Sequence, residues 1–280
     1  MMKTLPLLRK RSINSLFELK PYLDEINDHV ETTTYIQNDP VQFMHMFHDK
    51  RDSEIAGFLA ATMAWGRRDI VVAKVDELMR RMDMNPFMFV MNYTSADYER
   101  FASFKHRTFK PVDIHGILLG LQNIYRNFKD FEAFWAQCYQ KGKDQKRPFL
   151  TVFHNDFFSM CDDYELRTRK HISNPENGST CKRLYMFLRW AIRKNSPVDL
   201  GIWNFIPSSE LLIPFDVHVA RQARKYGLIA RRTNDWKTVN LLTDTLRLLN
   251  PDDPARYDYA LFGIGALGYE LPKRFILNRV

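Results

Sequence analysis

From Asp52 the chain reads DSEIAGFLAATMAWGRRDIVVAKVDELMRRM, and no other stretch restricts the fold as much. Residues 54–64 are apolar nearly all round, the pattern of a helix buried on every side. Residues 69–82 are amphipathic, with Ile70, Val71, Val75, Leu78 and Met79 at helical spacing. The two pieces meet at Trp65-Gly66-Arg67-Arg68. A helix with no polar face needs other elements around it, so the pattern predicts a packed helical assembly.

The same periodicity runs through the chain. Ser12 is placed to cap a short helix carrying Ile13, Leu16 and Phe17. Pro21 restarts it, with Tyr22, Leu23 and Ile26 continuing the apolar face. Asp39-Pro40 opens a short helix holding Phe43, Met44 and Phe47, and Pro86 opens another. Further helices are expected over 113–128, 131–139, 149–162, 180–194, 216–226, 235–249 and 254–265, with Gly227 as a stop. The basic run 141–147 reads as a solvated turn and 163–178 as an inserted loop. Only 11 of the 280 residues are glycine, and β-branched runs are few, which disfavours a sheet-rich fold. The expectation is an all-α chain in two lobes: 110–228 forming one, 1–109 with 229–280 the other. No repeat, low-complexity segment or long linker interrupts it.

Lysine and arginine number 41 against 33 acidic residues, a formal net charge of +8. An anionic partner follows most simply, and nucleic acid is the commonest one. Cys138, Cys161 and Cys181 lack the close spacing of a zinc knuckle or a disulfide framework. A reducing cytoplasm suits them. The first residues, MMKTLPLLRKRS, have no apolar core of signal-peptide length. No stretch approaches the roughly 18 apolar residues of a membrane span, so no membrane partner is expected. His45 and His48 share a helix face but have no carboxylate at matching spacing, so neither a metal nor a cofactor is expected.

The segment 175–228 carries the candidate chemistry. A polar turn containing Gly178 launches a helix with Lys182 near its start, and Asp216 stands at the mouth of a second helix in Pro-Phe-Asp-Val-His-Val. Lysine attacks only as the free amine, a form that a helix N-terminus and nearby cations favour. Arg183 is such a neighbour. Aspartate at a helix start can cap it and still face a cationic transition state. Taken singly, each residue has a plainer reading: a solvent-facing lysine and an ordinary cap. Arg189, Arg193 and Lys194 follow on the first helix, Arg221, Arg224 and Lys225 on the second, and Arg231-Arg232 beyond it. Lys and Arg beside helix N-termini are what contacts a row of phosphates.

IPFDVHVARQARKYGL resembles the segment of helix-hairpin-helix DNA glycosylases that reads roughly (V/L)PVDTHVxRVxxRLGL. Asn177-Gly-Ser-Thr-Cys-Lys182 is similar in position to the start of their lysine-bearing helix, and EIAGFLAATMAWGRRDIVVAKV resembles their early helix pair. Closer still, the chain resembles a bacterial family of unknown function sharing GSxCKRxxMFLRW and PxDVH blocks. The hairpin usually written LPGVGxKTA reads NPENGSTCKRL here. The interval from Lys182 to Asp216 is lengthened by PVDLGIWNFIPSSELLI, as in the distantly similar archaeal 8-oxoguanine DNA glycosylases. The four-cysteine iron–sulfur motif is absent.

The resemblance implies a base-excision repair glycosylase with AP-lyase activity on damaged or abasic double-stranded DNA, nucleoid-associated in the cytoplasm. Lys182 would form a Schiff base with the sugar, assisted by Asp216, after a damaged base such as an oxidised purine is flipped out. The implied DNA contacts are Arg67, Arg68, Asn177, Gly178, Ser179, Arg183, His218 and Arg221. The implied base-pocket walls are Phe43, Phe47, Trp65, Trp190 and Phe215. Two alternatives stay open: a non-catalytic DNA-binding or structure-sensing protein on the same scaffold, and an enzyme acting on RNA or nucleotides.

Overall fold

The computed structural model describes residues 7–161 and 164–278, and among them there is no β-strand. The all-α expectation holds. Ser12 caps α1 (Ile13–Phe17), its hydroxyl accepting from the Ser15 amide at 3.4 Å. Pro21 lies in the first turn of α2 (Lys20–Val30), where a missing N–H costs nothing. Two short helices follow, α3 (Thr33–Ile36) and α4 (Gln42–His45). Asp49 caps α5 (Lys50–Met63), which is buried continuously from Ser53 onward. The turn at 64–67 leads into α6 (Arg68–Arg81), and Asn85 caps α7 (Pro86–Asn92).

Next come α8 (Pro111–Asn127), α9 (Phe131–Asp144) and α10 (Phe149–Ser159). α9 runs further than the periodicity suggested and absorbs half of the basic run. Lys141 and Lys143 end up in its last turn, where cations favour the helix dipole, and Lys141 pairs with Asp156 at 2.8 Å. The helix expected over 149–162 stops at Ser159, and residues 162 and 163 lie outside the described residues. The inserted loop contains two 3₁₀ turns, Leu166–His171 and Pro175–Asn177. The chain closes with α11 (Lys182–Ile192), α12 (Val217–Lys225), α13 (Trp236–Leu249) and α14 (Tyr257–Ala266). Gly227, at φ +70°, ends α12, and Leu228 returns its amide to the Ala223 carbonyl at 2.8 Å.

α5 sits at the centre, and its apolar circumference is the reason. Phe58 meets Phe131, Phe153, Phe157 and Phe187 with ring centroids 5.1–6.1 Å apart. Trp135 stacks on Phe153 at 3.6 Å, and Trp203 meets Phe187 edge-on at 5.0 Å. Each such ring is worth about 2–3 kcal/mol of burial. Phe187 belongs to α11, so this core fixes the helix that begins at Lys182. Gly57 lets α4 approach, since a Cβ there would lie 2.3 Å from the Met44 Cγ. On another side α14 packs against α2 and α12. Gly263 faces Val30, and Gly265 faces the backbone of His218. The starts of α11 and α12 are thereby held by separate packing surfaces and converge on one cleft.

Candidate active site

The start of α11 is built by a sequence of small devices. The Asn174 side chain accepts from the Glu176 amide at 2.9 Å, capping the 3₁₀ turn, and Gly178 closes that turn at φ +76°. The Ser179 hydroxyl accepts from the Cys181 amide at 3.1 Å. Cys181 itself is fully buried at φ +51°, a left-handed conformation unfavourable for a residue with a Cβ. The first helical bond runs from the Tyr185 amide to the Cys181 carbonyl. Amides 182–184 therefore have no acceptor within the helix. Along α11, Lys182, Met186 and Arg189 follow at i, i+4 and i+7 and line the same cavity.

Asp216 serves α12 and Lys182 with different oxygens. Its Oδ1 accepts from the amides of His218 and Val219, both at 2.9 Å, which is an N-cap. Its Oδ2 lies 3.4 Å from Lys182 Nζ. The cap fixes the carboxylate, and the outward oxygen meets the lysine. Both side chains are partly buried, 31% exposed for Lys182 and 18% for Asp216.

They stand in the wall of a cavity of about 580 Å³. Its apolar surface comes from Trp65, Met186, Phe262 and Tyr35. A second carboxylate, Asp258, joins them from α14, with Phe262 and Ala266 following it at i+4 and i+8 on the same side. Asp258 Oδ2 accepts from Nη1 of the buried Arg189. Burial pushes the Asp258 carboxyl up to about 7; Arg189 opposes this and the Asp216 charge adds to it.

Arg189 opens a chain of buried charge. It lies over the Tyr259 ring at 4.0 Å and 3.4 Å from Asp199. The Tyr259 hydroxyl donates to Asp199 at 2.7 Å. Asp199 also pairs with Arg193, which reaches Glu31 at 2.8 Å and Asp253 at 2.9 Å. Beyond Arg193 lies a larger cavity of about 860 Å³.

The turn after α5 splits its two arginines. Arg67 projects into solvent and pairs with Asp69 at 2.6 Å. Arg68 faces the cavity, its guanidinium 4.9 Å from the Phe262 centroid and 5.2 Å from that of Tyr35. Arg183 donates to the Thr62 carbonyl and lies over Trp65 at 4.8 Å, while Trp65 stacks on His171 at 5.7 Å. Burial pushes the Arg183 guanidinium down to about 10.

The sequence-derived residues therefore separate into two sets. Lys182, Asp216, Arg68, Arg183, Ser179, His218 and Trp65 all line the cavity. His218 Nδ1 is 3.1 Å from the Gly265 carbonyl. Asn177 and Gly178 are exposed on the turn, and Arg221 is exposed on α12; none of them lines the cavity. Phe43, Trp190 and Phe215 lie in the core and Phe47 packs against it, so the expected base-pocket aromatics are not brought here, Trp65 excepted. Their helical spacing aimed them inward. Tyr35, Met186 and Phe262 take their place. Asp258 escaped the sequence reading, although a lone carboxylate on the apolar helix YDYALFGIGA is a signal. Among the described residues no group of three or more His, Cys, Asp or Glu is placed to hold a metal ion, and no helix is long and apolar enough to cross a membrane.

A family model described as Protein of unknown function (DUF2400) matches residues 39–267. No curated protein and no solved structure matches the chain.

Proposed function

The chain belongs to the DUF2400 family, and we propose that it is a DNA base-excision glycosylase with AP-lyase activity on a two-lobed helix-hairpin-helix scaffold. Residues 110–228 would form the lobe carrying the catalytic pair, and damaged duplex DNA, met at the nucleoid, would be the partner. One observation carries the reading: Lys182 Nζ and Asp216 Oδ2 approach to 3.4 Å at the wall of a cavity of about 580 Å³. That volume falls within the ~300–1,000 Å³ typical of small-molecule pockets.

A flipped base would enter between Trp65, Phe262 and Tyr35. Extrusion costs a few kcal/mol and is easiest for a lesion such as an oxidised purine. Asp216 takes a proton from the Lys182 ammonium and offsets positive charge at the sugar. The amine attacks C1′ and the base departs with the electrons of its glycosidic bond, taking up the proton that the nitrogen sheds. The nitrogen lone pair then forms the C1′=N bond as the C1′–O4′ bond breaks, its pair leaving on O4′, and the ring-opened sugar is held as an imine. The adjoining cations, Arg67 outside and Arg68 within, supply phosphate contact and a filler for the vacated stack.

Borohydride reduction tests this. The protein should become covalently joined to duplex DNA containing one abasic site, and Lys182→Gln should abolish the adduct while keeping its helical circular dichroism. A wild-type protein that neither traps nor cuts abasic DNA sinks the reading. Salt-sensitive duplex binding that persists without trapping would instead identify a non-catalytic DNA-binding or structure-sensing protein.

A further inference from the structure

We propose that Asp258 is the base of the elimination step, taking the C2′ proton of the lysine-bound sugar. The proposal rests on the Schiff-base reading above. Such a step needs a second acceptor, because Asp216 is fully engaged. Its Oδ1 holds two helix amides and its Oδ2 faces Lys182.

Asp258 has the spare capacity. Arg189 occupies its Oδ2, and among the described residues no hydrogen bond reaches its Oδ1. α14 turns Asp258 and Phe262 toward the same cavity that Lys182, Met186 and Arg189 face from α11. Arg189, stacked over Tyr259 and backed by Asp199, fixes the carboxylate without being able to give up its own charge. Met186 and Phe262 keep the surroundings apolar, which favours proton transfer over solvation of the carboxylate.

The charged and titratable groups facing Asp258 are Arg189 and Lys182 on α11, Asp216 and His218 at α12, Asp199 in the loop after α11, Tyr35 on α3 and Arg68 on α6. Their sum, dominated by burial, leaves the carboxyl near 7. A group of that strength exchanges protons readily in neutral solution.

In the iminium joined to Lys182 Nζ, Asp258 Oδ1 takes the proton from C2′. The C2′–H electron pair becomes the C2′–C3′ double bond. The C3′–O bond breaks, and its pair leaves on the phosphate oxygen. Water then hydrolyses the unsaturated imine and returns Lys182 as the amine.

A duplex with a single abasic site separates the two steps. Borohydride trapping reads imine formation, and strand scission without borohydride reads elimination. In Asp258→Asn the carboxamide oxygen still accepts from Arg189. Trapping should be undiminished, which also verifies the fold, while scission slows by about 100-fold. In the wild type, scission should rise with pH through about 7 and then level as the carboxylate form fills, and the Asn variant should lack that limb. Asp258→Glu should recover part of the rate. An Asn variant that cuts at the wild-type rate with an unchanged pH profile overturns the inference. So does one that loses trapping along with scission, since Asp258 would then serve the earlier step or the fold. Wild-type protein that fails to trap overturns the Schiff-base reading itself, a distinct result.

Discussion

Trp203 Nε1 donates across 2.7 Å to Oε1 of Glu54, a carboxylate with no exposed side-chain surface in the second turn of α5. The other oxygen accepts from the Tyr125 hydroxyl at 2.8 Å and the Phe131 amide at 3.3 Å, and Lys50 approaches to 3.7 Å. Glu54→Ala leaves the Trp203 indole and the Phe131 amide without an acceptor and the Tyr125 hydroxyl with the Arg51 carbonyl at 3.4 Å alone, and each buried donor left unpaired costs about 1–3 kcal/mol. A loss on the order of 3 kcal/mol is expected in urea unfolding. Burial raises the Glu54 carboxyl above its ordinary value, against the pull of Trp203 and Tyr125. The folded state therefore holds that proton more tightly than the unfolded chain. Its advantage exists at low pH and is lost as pH rises through the raised value. Glu54→Gln should remove this dependence.

Asp216 makes cap and chemistry separable. An asparagine keeps an acceptor for the His218 and Val219 amides, so Asp216→Asn should leave the melting temperature nearly unchanged. Asp216→Ala should cost about 1 kcal/mol. Both remove the charge facing Lys182, and both should abolish borohydride trapping. If Asp216→Asn traps as well as the wild type, Asp216 is a cap alone.

How much of this is legible in the sequence follows from the kind of signal each residue leaves. Lys182 and Asp216 stand at helix starts that local chemistry marks, the first by the polar turn before it and the second by the capping aspartate itself. Their meeting is not local. It depends on Phe187 seating α11 on α5, and on α14 holding α12, contacts that no periodicity encodes. Asp258 leaves a weak mark because its partner, Arg189, is distant in sequence. Phe43, Trp190 and Phe215 show the reverse limit: an aromatic at helical spacing says that the ring is buried, not what it is buried against. The helices themselves follow their apolar stripes closely. α9 outran its stripe because Lys141 found Asp156 on the neighbouring helix.

Asp113 should govern behaviour in acid. It is buried at the start of α8, where burial pushes its carboxyl up. His171, the Lys110 amide and Thr168 outweigh that and hold it at about 2. Arg167 adds a contact at 2.5 Å. A depressed carboxylate contributes stability that is present above the ordinary 3.8 and disappears as pH falls toward 2. Because His171 stacks on Trp65, losing this pair should also loosen the cavity wall. The expected result is a urea midpoint falling between about pH 4 and pH 2, with a change in tryptophan fluorescence, and a flatter profile in Asp113→Asn. An unchanged slope in that variant would remove Asp113 from the account.

Arg67 and Arg68 are neighbours with opposite environments, and DNA binding should tell them apart. Arg67 is 76% exposed and, among the described residues, its side chain is tied to Asp69 alone, so a phosphate can recruit it at little cost. If it does, Arg67→Ala weakens binding equally on intact, abasic and lesion-bearing duplexes. The slope of log affinity against log salt should also fall by about 1. Arg68 lies over Phe262 and Tyr35 inside the cavity. Its removal should leave the salt slope on intact duplex nearly unaltered, because no backbone phosphate is lost. It should weaken binding selectively where a nucleotide is flipped, because the cation over the two rings is gone. Fluorescence anisotropy on the three duplexes at several salt concentrations measures both effects. Equal slopes for the two variants would mean that the turn meets DNA as one undivided basic surface.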